Sequence, residues 1–330
     1  MTRLDTDDAV ATESAAESRG PRTLLLEARE VPLGGVRAMS VRRALPQRDL
    51  PLVGAWCFLD RFGPQVTRMR VEPHPHIGLQ TVTWPFVGDV RHRDTVGSDV
   101  LVRRGALNLM TSGAGIAHSE YSVGEDAAPL DALQLWVALP ESRRHGAPAF
   151  EQHAELPEIE LAPVTGDPGS ATVVLGEFAG AASPATTYTP IAGAEIRVPA
   201  GSRLSLPLNP TWEYAVMGVD GDAFVHADAE QEPGIGVDDA HLLFLGTGRA
   251  AVEVSSVAGA TVFLLGGEPF EDDIVMWWNF VGRSHEEIVT ARDEWEAASD
   301  RFGHVVGHGP ERIPAPPLPA VRLTRRRRRV

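Results

Sequence analysis

Glycine and proline interrupt this sequence so often that most of its apolar segments are too short to form a helix. The 330 residues include 32 glycines and 26 prolines. Between them lie short apolar segments such as LQTVTWPFV and LQLWVALP in the first half, and ATVVLGEF and ATVFLLGG in the second. Short strand-like segments at regular spacing are typical of β-sandwiches and barrels. The sequence therefore predicts an all-β protein, and its length allows two domains.

The two halves carry a similar strand pattern, as degenerate copies would. Aligning the Gly-Asp turn at 88–89 with that at 221–222 gives an offset of 133 residues (221 − 88). That offset carries no histidine of the second half onto His74 or His76. If the repeat is real, the second half has kept the scaffold and lost those side chains.

Composition changes along the chain predict the domain boundaries. The first residues are polar and acidic, and the residues after position 140 are rich in Pro, Ala, Glu and His. The predicted parts are a disordered leader (1–20), an N-terminal metal-binding domain (21–140), a connecting segment (141–168), a C-terminal domain without metal (169–318) and an Arg-rich tail (319–330).

One helix is predicted near the end of the chain. Ser284 and Glu287 have the spacing of a capping box, and Gly303 is expected to end the helix. The predicted buried face comprises Ile288, Ala291, Trp295 and Ala298. Trp277 and Trp278, just before it, are interpreted as packing between the domains.

Charge and cysteine content limit the kinds of partner and compartment. The formal net charge is -15, which argues against nucleic-acid binding because that requires clustered positive charge. The run Arg325 to Arg329 is the exception, interpreted either as a solvated tail or as a grip on an anionic partner. No apolar run is long enough to span a membrane. With a single cysteine, Cys57, and no secretion signal, the sequence predicts a cytoplasmic protein.

The segment Pro73-His74-Pro75-His76 predicts two imidazoles held side by side. Proline fixes φ and favours extended geometry in the residue before it. Residues i and i+2 of an extended chain point to the same face. This is a suitable arrangement for two metal ligands, although paired histidines in a loop are more often surface residues.

A second pair, His118 and Glu120 in GAGIAHSEYS, has the same i, i+2 spacing. If the two pairs lie on facing strands, they supply three imidazoles and one carboxylate. Such a set suits non-haem Fe(II), with Mn, Ni, Cu or Zn also possible. The alternative is that these are unrelated loop residues.

Other candidates have structural interpretations as well as functional ones. His92 and Asp94 either orient a ligand imidazole or, as we favour, lie on a strand near the barrel rim. His145 and His153 are expected to be solvated. The residues that line either an aromatic-binding cavity or the barrel core, with core favoured, are Trp84, Phe86, Leu135 and Trp136.

Six motifs in order resemble the pirin family: VRRALP, LDRFGP, PHPHIGLQTVTW, GAGIAHSE, LQLWVALP and GGEPFEDDIVMWWNFVGRSHEEI. The resemblance implies two cupin-type β-barrel (jelly-roll) domains packed together, with a C-terminal α-helix. It implies a metal, usually iron, in the N-terminal cupin, and a C-terminal cupin that lacks metal. The implied ligands are His74, His76, His118 and Glu120.

The sequence departs from the pirin pattern at two positions near these ligands. Ile77 stands where pirins usually carry Arg, and Gln80 stands where they usually carry an acidic residue. An amide is a poor substitute for a carboxylate ligand, so anionic ligation falls on Glu120. RRGALNLMTSG also replaces the usual Pro-Gly-Asp turn. Substrate choice is what these departures affect most.

The resemblance implies an iron-dependent quercetin (flavonol) 2,3-dioxygenase that uses O2, with Glu120 as ligand and general base. The alternative is a metal- and redox-dependent regulatory protein that binds a transcription factor or a metabolic enzyme. Metal-dependent isomerisation of a sugar is a weaker third possibility, because no phosphate-binding cluster supports it.

Overall fold

The computed structural model describes residues 20–33, 39–228 and 232–325. The predicted leader, apart from Gly20, and the run Arg326–Arg329 lie outside the described residues. No helix in the described part is long and apolar enough to cross a membrane.

The described residues of the first half form twelve strands. They are β1 (Pro21–Glu27), β2 (Arg29–Leu33), β3 (Met39–Leu45), β4 (Trp56–Thr67), β5 (Arg70–His76), β6 (Leu79–Val87), β7 (Val90–Asp94), β8 (Asp99–Val102), β9 (Leu107–Thr111), β10 (Ile116–Ser122), β11 (Ala128–Ala138) and β12 (Ala149–His153). Most of them build a seven-stranded sheet of order β12-β9-β6-β11-β4-β3-β2 and a four-stranded sheet of order β5-β10-β7-β8.

The second half forms the remaining strands and one helix. They are β13 (Glu158–Leu161), β14 (Pro163–Thr165), β15 (Gly169–Phe178), β16 (Ala181–Ala182), β17 (Ile191–Val198), β18 (Ser202–Pro207), β19 (Glu213–Asp220), β20 (Ala223–His226), β21 (Ile235–Val237), β22 (His241–Gly246), β23 (Ala251–Ser256), β24 (Ala260–Gly267), β25 (Val275–Trp277), β26 (Phe280–Gly282) and α1 (His285–Glu296).

The strand order of the first barrel is repeated in the second. The sheet β5-β10-β7-β8 corresponds to β18-β23-β20-β21, and the run β9-β6-β11-β4 corresponds to β22-β19-β24-β17. Each correspondence is a shift of thirteen strands along the chain. The duplicated scaffold inferred from the sequence is therefore present, with two antiparallel two-sheet barrels.

Strand β1 joins the second barrel, and the segment that follows β24 joins the first barrel. β1 is antiparallel to β22 in the second barrel, at the place that β12 occupies beside β9 in the first. The segment after β24 returns to the first barrel, where the Val281 amide donates to the Ile77 carbonyl. Gly78 permits this approach, because its φ is +69° and a Cβ there would lie 2.0 Å from the Val281 oxygen.

A single hydrophobic core joins the barrels through Trp56. This side chain is fully buried, and its indole Nε1 donates to the carbonyls of Ala192 and Gly266, both at 3.1 Å. Apolar residues from both halves surround it, including Phe244 and Phe263. The barrels therefore share a packed interface instead of meeting at a hydrated surface.

The predicted helix exists, but it ends earlier than expected. The Glu287 amide donates to the Ser284 hydroxyl at 3.2 Å, while the Glu287 carboxylate accepts from the Arg283 amide and not from the N-cap residue. Ile288, Ala291 and Trp295 are buried as predicted, but Ala298 is exposed and lies beyond the helix. The C-cap is Ala297, so the prediction that Gly303 ends the helix was wrong.

Trp277 and Trp278 are half-buried and pack with the helix against Ile77 of the first barrel. They belong to the segment that returns from the second barrel. This agrees with their interpretation as packing between the two parts of the chain.

We expect Trp56→Ala to lower the free energy of unfolding by about 3–5 kcal/mol, because it removes a large buried side chain at the shared core. Trp56→Phe keeps most of the volume and loses two hydrogen bonds, with an expected cost of about 1–3 kcal/mol. Guanidinium unfolding followed by circular dichroism measures both. A change below about 1 kcal/mol for the alanine variant would contradict a shared core.

Candidate metal centre

The four-stranded sheet β5-β10-β7-β8 brings the predicted ligands together through its register. β10 lies between β5 and β7, with His118 opposite His74 on one side and Asp94 on the other. Glu120 lies opposite His92. Because alternate residues of a strand share a face, these five side chains project from the same side of the sheet.

Backbone hydrogen bonds fix the tautomers of His74 and His76. His74 Nδ1 donates to the Glu72 carbonyl at 2.9 Å, and His76 Nδ1 donates to the Asn279 carbonyl at 3.1 Å. A carbonyl oxygen only accepts, so the proton of each neutral ring is on Nδ1. Both Nε2 atoms therefore have a free lone pair, which is the form that binds metals.

The third imidazole, His118, completes a compact group. Its ring centroid is 4.3 Å from that of His74 and 5.0 Å from that of His76. The Nε2 atoms of His76 and His118 are 3.0 Å apart. One ligand nitrogen from each of the three rings lies within 4.8 Å of the others.

Hydrogen-bonding contacts connect Asp94 to His92, and His92 to Nδ1 of His118. Asp94 Oδ2 is 2.9 Å from His92 Nε2, and His92 Nδ1 is 3.4 Å from His118 Nδ1. Burial alone would raise the pKa of Asp94, but hydrogen bonds from His92 and Ser98 outweigh it and lower the pKa. Since the Asp94 carboxylate accepts from His92 Nε2, His92 Nδ1 can accept from His118 Nδ1, and His118 Nε2 is then unprotonated.

In this tautomer of His118, two lone pairs face each other. His76 Nε2 and His118 Nε2 are both unprotonated in this arrangement, 3.0 Å apart and buried. Two buried acceptors at that distance repel each other unless a cation lies between them. The donor set therefore fits a metal ion that prefers imidazole nitrogen, such as Fe, Zn, Cu or Ni.

Glu120 does not belong to the group that His74, His76 and His118 form. Its carboxylate shares a second group of potential ligands with His92 and His118, again within 4.8 Å. Thr83 Oγ1 lies 3.3 Å from Glu120 Oε1 and donates to it or to Gln134 Oε1 at 3.1 Å. Three of the four predicted ligands, His74, His76 and His118, thus form one group, whereas Glu120 belongs to a second group with His92 and His118.

Burial determines the protonation of these residues. It lowers the pKa of His74 to about 4 and lowers the pKa of His76 and His118 well below the ordinary value near 6.5. Burial also raises the pKa of the Glu120 carboxyl. At neutral pH all three imidazoles are therefore neutral and ready to act as ligands.

The two departures from the expected pattern serve packing. Gln80 is buried, and its Nε2 donates to Thr111 Oγ1 at 2.9 Å and to the Thr186 carbonyl at 3.1 Å. It is in neither group of potential ligands. Ile77 is 1% exposed within the apolar cluster beneath α1, where a charged arginine would be desolvated.

His92 is the residue that the sequence analysis undervalued. It is 2% exposed, stacked on Phe150 at 4.5 Å and adjacent to His118, so the favoured interpretation as a rim residue was wrong. The available signal was the i, i+2 spacing of His92 and Asp94, which repeats the spacing of both ligand pairs. That spacing alone could not show that β7 would pair with β10.

The remaining candidates are mostly structural. Trp84, Phe86 and Leu135 lie in the main core, as favoured. Trp136 stacks on Phe58 with centroids 4.0 Å apart and meets the edge of His76 at 5.2 Å, so it also supports the site. His145 is exposed, as expected, whereas His153 is half-buried and pairs with Glu151 at 3.0 Å.

Among the described residues, both groups of potential metal ligands lie in the first barrel. In the second barrel β20 and β23 are the counterparts of β7 and β10. There His226 Nε2 is 2.9 Å from the Ser255 hydroxyl. The duplicated scaffold therefore carries different polar contacts at the corresponding place.

Comparisons with known proteins cover both barrels. The family model Pirin matches residues 38–137, and Pirin C-terminal cupin domain matches residues 193–303. A protein of Pseudomonas aeruginosa named "Putative quercetin 2,3-dioxygenase PA1205" is 40% identical over 296 residues, 88% of this chain and 89% of that protein. Mouse Pirin is 31% identical over 69% of this chain and 77% of its own length.

A solved structure supports the fold assignment. Quercetin 2,3-dioxygenase from Acinetobacter baumannii superimposes with a TM-score of 0.82 at 37% identity, over 91% of this chain and 97% of that one. With one matched family model being a cupin domain, the predicted fold of two cupin barrels with a C-terminal helix is confirmed.

We expect His118→Ala to abolish stoichiometric metal binding, because His118 is common to both groups of potential ligands. Elemental analysis of the purified protein measures this, with His153→Ala as the matched control outside the site. His92→Phe keeps the stacking on Phe150 and removes the hydrogen bond to His118, so we expect metal affinity about 10–100-fold weaker. Equal metal content in the wild type and His118→Ala would contradict the assignment.

We expect the metal-free protein to lose stability as the pH falls from about 6.5 to about 4. The folded-state pKa of His74 is depressed to about 4, so in this interval the unfolded chain binds protons that the folded chain does not. For His74 alone the loss is on the order of 3 kcal/mol. Urea unfolding at several pH values measures it, and His74→Gln should show a smaller dependence on pH. Identical pH profiles for the two proteins would contradict a buried neutral His74.

Proposed function

Since this chain belongs to the pirin family, we propose that it is an iron-dependent oxygenase of the quercetin 2,3-dioxygenase type. Its proposed ligands to Fe(II) are His74, His76, His118 and Glu120. The substrates are O2 and a flavonol-like aromatic compound. Support comes from the relatives named as quercetin 2,3-dioxygenases at 37% and 40% identity.

The observation that carries the proposal is the convergence of unprotonated imidazole nitrogens. The backbone carbonyls of Glu72 and Asn279 accept hydrogen bonds from Nδ1 of His74 and His76, and His92 Nδ1 lies 3.4 Å from His118 Nδ1. Ligand atoms that backbone hydrogen bonds orient in this way suit a resident metal.

Bound iron would supply a centre that binds the flavonol oxygen and brings O2 beside it. The chain's own residues orient and deprotonate the substrate. Glu120 has a carboxyl pKa raised by burial, which makes its ionised form a stronger base than an exposed glutamate. Thr83 orients the Glu120 carboxylate through its hydroxyl. The proton of the flavonol hydroxyl is transferred to the Glu120 carboxylate.

The burial of the four ligands indicates the side from which the substrate approaches. His76 and His118 are each 1% exposed, whereas His74 and Glu120 are each 7% exposed. His76 is covered by Trp136, which is itself held by stacking on Phe58. The substrate therefore approaches Glu120, the proposed base, and not the covered ring of His76.

We expect the iron-loaded protein to consume O2 and release carbon monoxide when given a panel of flavonols. Glu120→Gln should lower kcat by about 10²–10⁴-fold, the usual contribution of a positioned general base. Oxygen uptake and carbon monoxide release measure turnover, with iron content determined for each sample. Glu160→Gln, which changes an exposed carboxylate on β13, is the matched control and should leave kcat unchanged.

Stoichiometric iron without turnover on any flavonol would exclude the oxygenase. The redox-dependent regulatory alternative would then lead, and it requires a protein partner captured with one oxidation state of the metal and not with the other. Full activity in Glu120→Gln with normal iron content would instead retain the oxygenase and remove Glu120 as its base.

A further inference from the structure

The outer face of the four-stranded sheet bounds a cavity of about 600 Å³ that the proposed oxygenase chemistry does not use. Arg91 and Arg93 flank His92 on β7, and Tyr121 follows Glu120 on β10. By strand alternation they face away from the metal centre. A register shift between β5 and β10 places Arg70 opposite Tyr121, so Arg70 joins this face as well.

The lining of this cavity is positively charged in a strongly acidic protein. Four guanidinium groups line it, from Arg68, Arg70, Arg91 and Arg93, against the carboxylates of Asp99 and Glu125. The whole chain has a formal net charge of -15. Arginines concentrated against that background create a local positive potential that attracts anions.

Glu72 and Glu311 also pair with Arg70, but a single carboxylate, that of Asp99, is shared by Arg91 and Arg93. Arg91 makes two hydrogen bonds of 2.7 Å with Asp99. Arg93 shares the same Asp99 at 3.4 Å, and its buried Nε makes no hydrogen bond. Glu125, the partner of Arg68, has a side chain that is 89% exposed. Arg91 and Arg93 thus have one carboxylate between them, which leaves the Arg93 guanidinium able to bind an additional acceptor.

Arg70 forms a rigid side of the cavity. Its Nε donates to Glu72 at 2.7 Å, and its guanidinium lies 5.0 Å from the centroid of the Tyr121 ring. The Tyr121 hydroxyl in turn donates to Glu72. These contacts hold the guanidinium in place, so a ligand does not have to order it.

We propose that this cavity is a binding site for a small dianion bearing carboxylate or phosphate groups. Planar guanidinium groups bind both oxyanions through paired hydrogen bonds, and the cavity volume is in the range of small-molecule sites. Arg68 and Arg93 supply the donors, and Asp99 competes with the ligand for Arg93. The site is independent of the metal centre, from which the sheet separates it.

Isothermal titration calorimetry at low salt tests the proposal, with inorganic phosphate and succinate titrated separately into the full chain. We expect saturable binding of at least one of them, and the stronger probe identifies phosphate or carboxylate as the preferred group. Arg93→Gln should weaken binding by about ten-fold or more. Asp99→Asn should strengthen it several-fold, because a competing carboxylate is removed.

Two controls separate this site from general electrostatics and from the metal centre. Arg103→Gln removes the same charge from an exposed arginine that pairs with Asp89 at 3.5 Å and does not line the cavity. Neither Arg103→Gln nor His118→Ala should change the affinity. Circular dichroism establishes that each variant is folded.

The proposal fails if neither probe binds saturably to the wild type. It also fails if Arg103→Gln weakens binding as much as Arg93→Gln, since that indicates attraction without a site. Weaker binding in Asp99→Asn would contradict the assigned competition. Asp99→Asn adds no steric demand. Titration of this variant therefore still tests the proposal if Arg93→Gln does not fold.

Discussion

The pairing of β10 between β5 and β7 is the interaction on which the candidate centre depends. This one strand carries His118 and Glu120, and its two ladders bring His74 on one side and His92 with Asp94 on the other. A slip of one residue would turn every one of these side chains to the opposite face. Backbone hydrogen bonds, and not contacts between the ligands, therefore assemble the site.

Residues that follow the second barrel in the chain hydrogen-bond the residues of the candidate metal centre and its strand β10. The carbonyl that orients His76 belongs to Asn279, in the turn between β25 and β26. His308, farther along the same segment, hydrogen-bonds Ser119 on β10 at 2.7 Å. The first barrel thus depends on residues that follow the second barrel in the chain, and the shared core around Trp56 makes the two barrels one packed unit.

Local rules were sufficient to predict part of this arrangement from the sequence. Proline geometry and strand alternation placed His74 beside His76, and His118 on the same face as Glu120. Pairing between distant strands could not be predicted in the same way, so the contact of His92 with His118 was undervalued. The predicted first domain began at residue 21, yet β1 lies on the second barrel's sheet. Glu120 is not grouped with His74 and His76, and a register shift between β5 and β10 lies between His118 and Glu120, which strand periodicity does not predict.

The contacts of β1 with the second barrel, and of Asn279 with the first, also determine the order in which the two barrels can finish folding during synthesis. Domains usually fold as they leave the ribosome, the N-terminal one first. Here β1 is made first, but its partner β22 is made more than two hundred residues later. Asn279 and His308 emerge after both barrels have been translated. The nascent first barrel therefore has its histidines but lacks the carbonyl that orients His76 until the segment after the second barrel has been made.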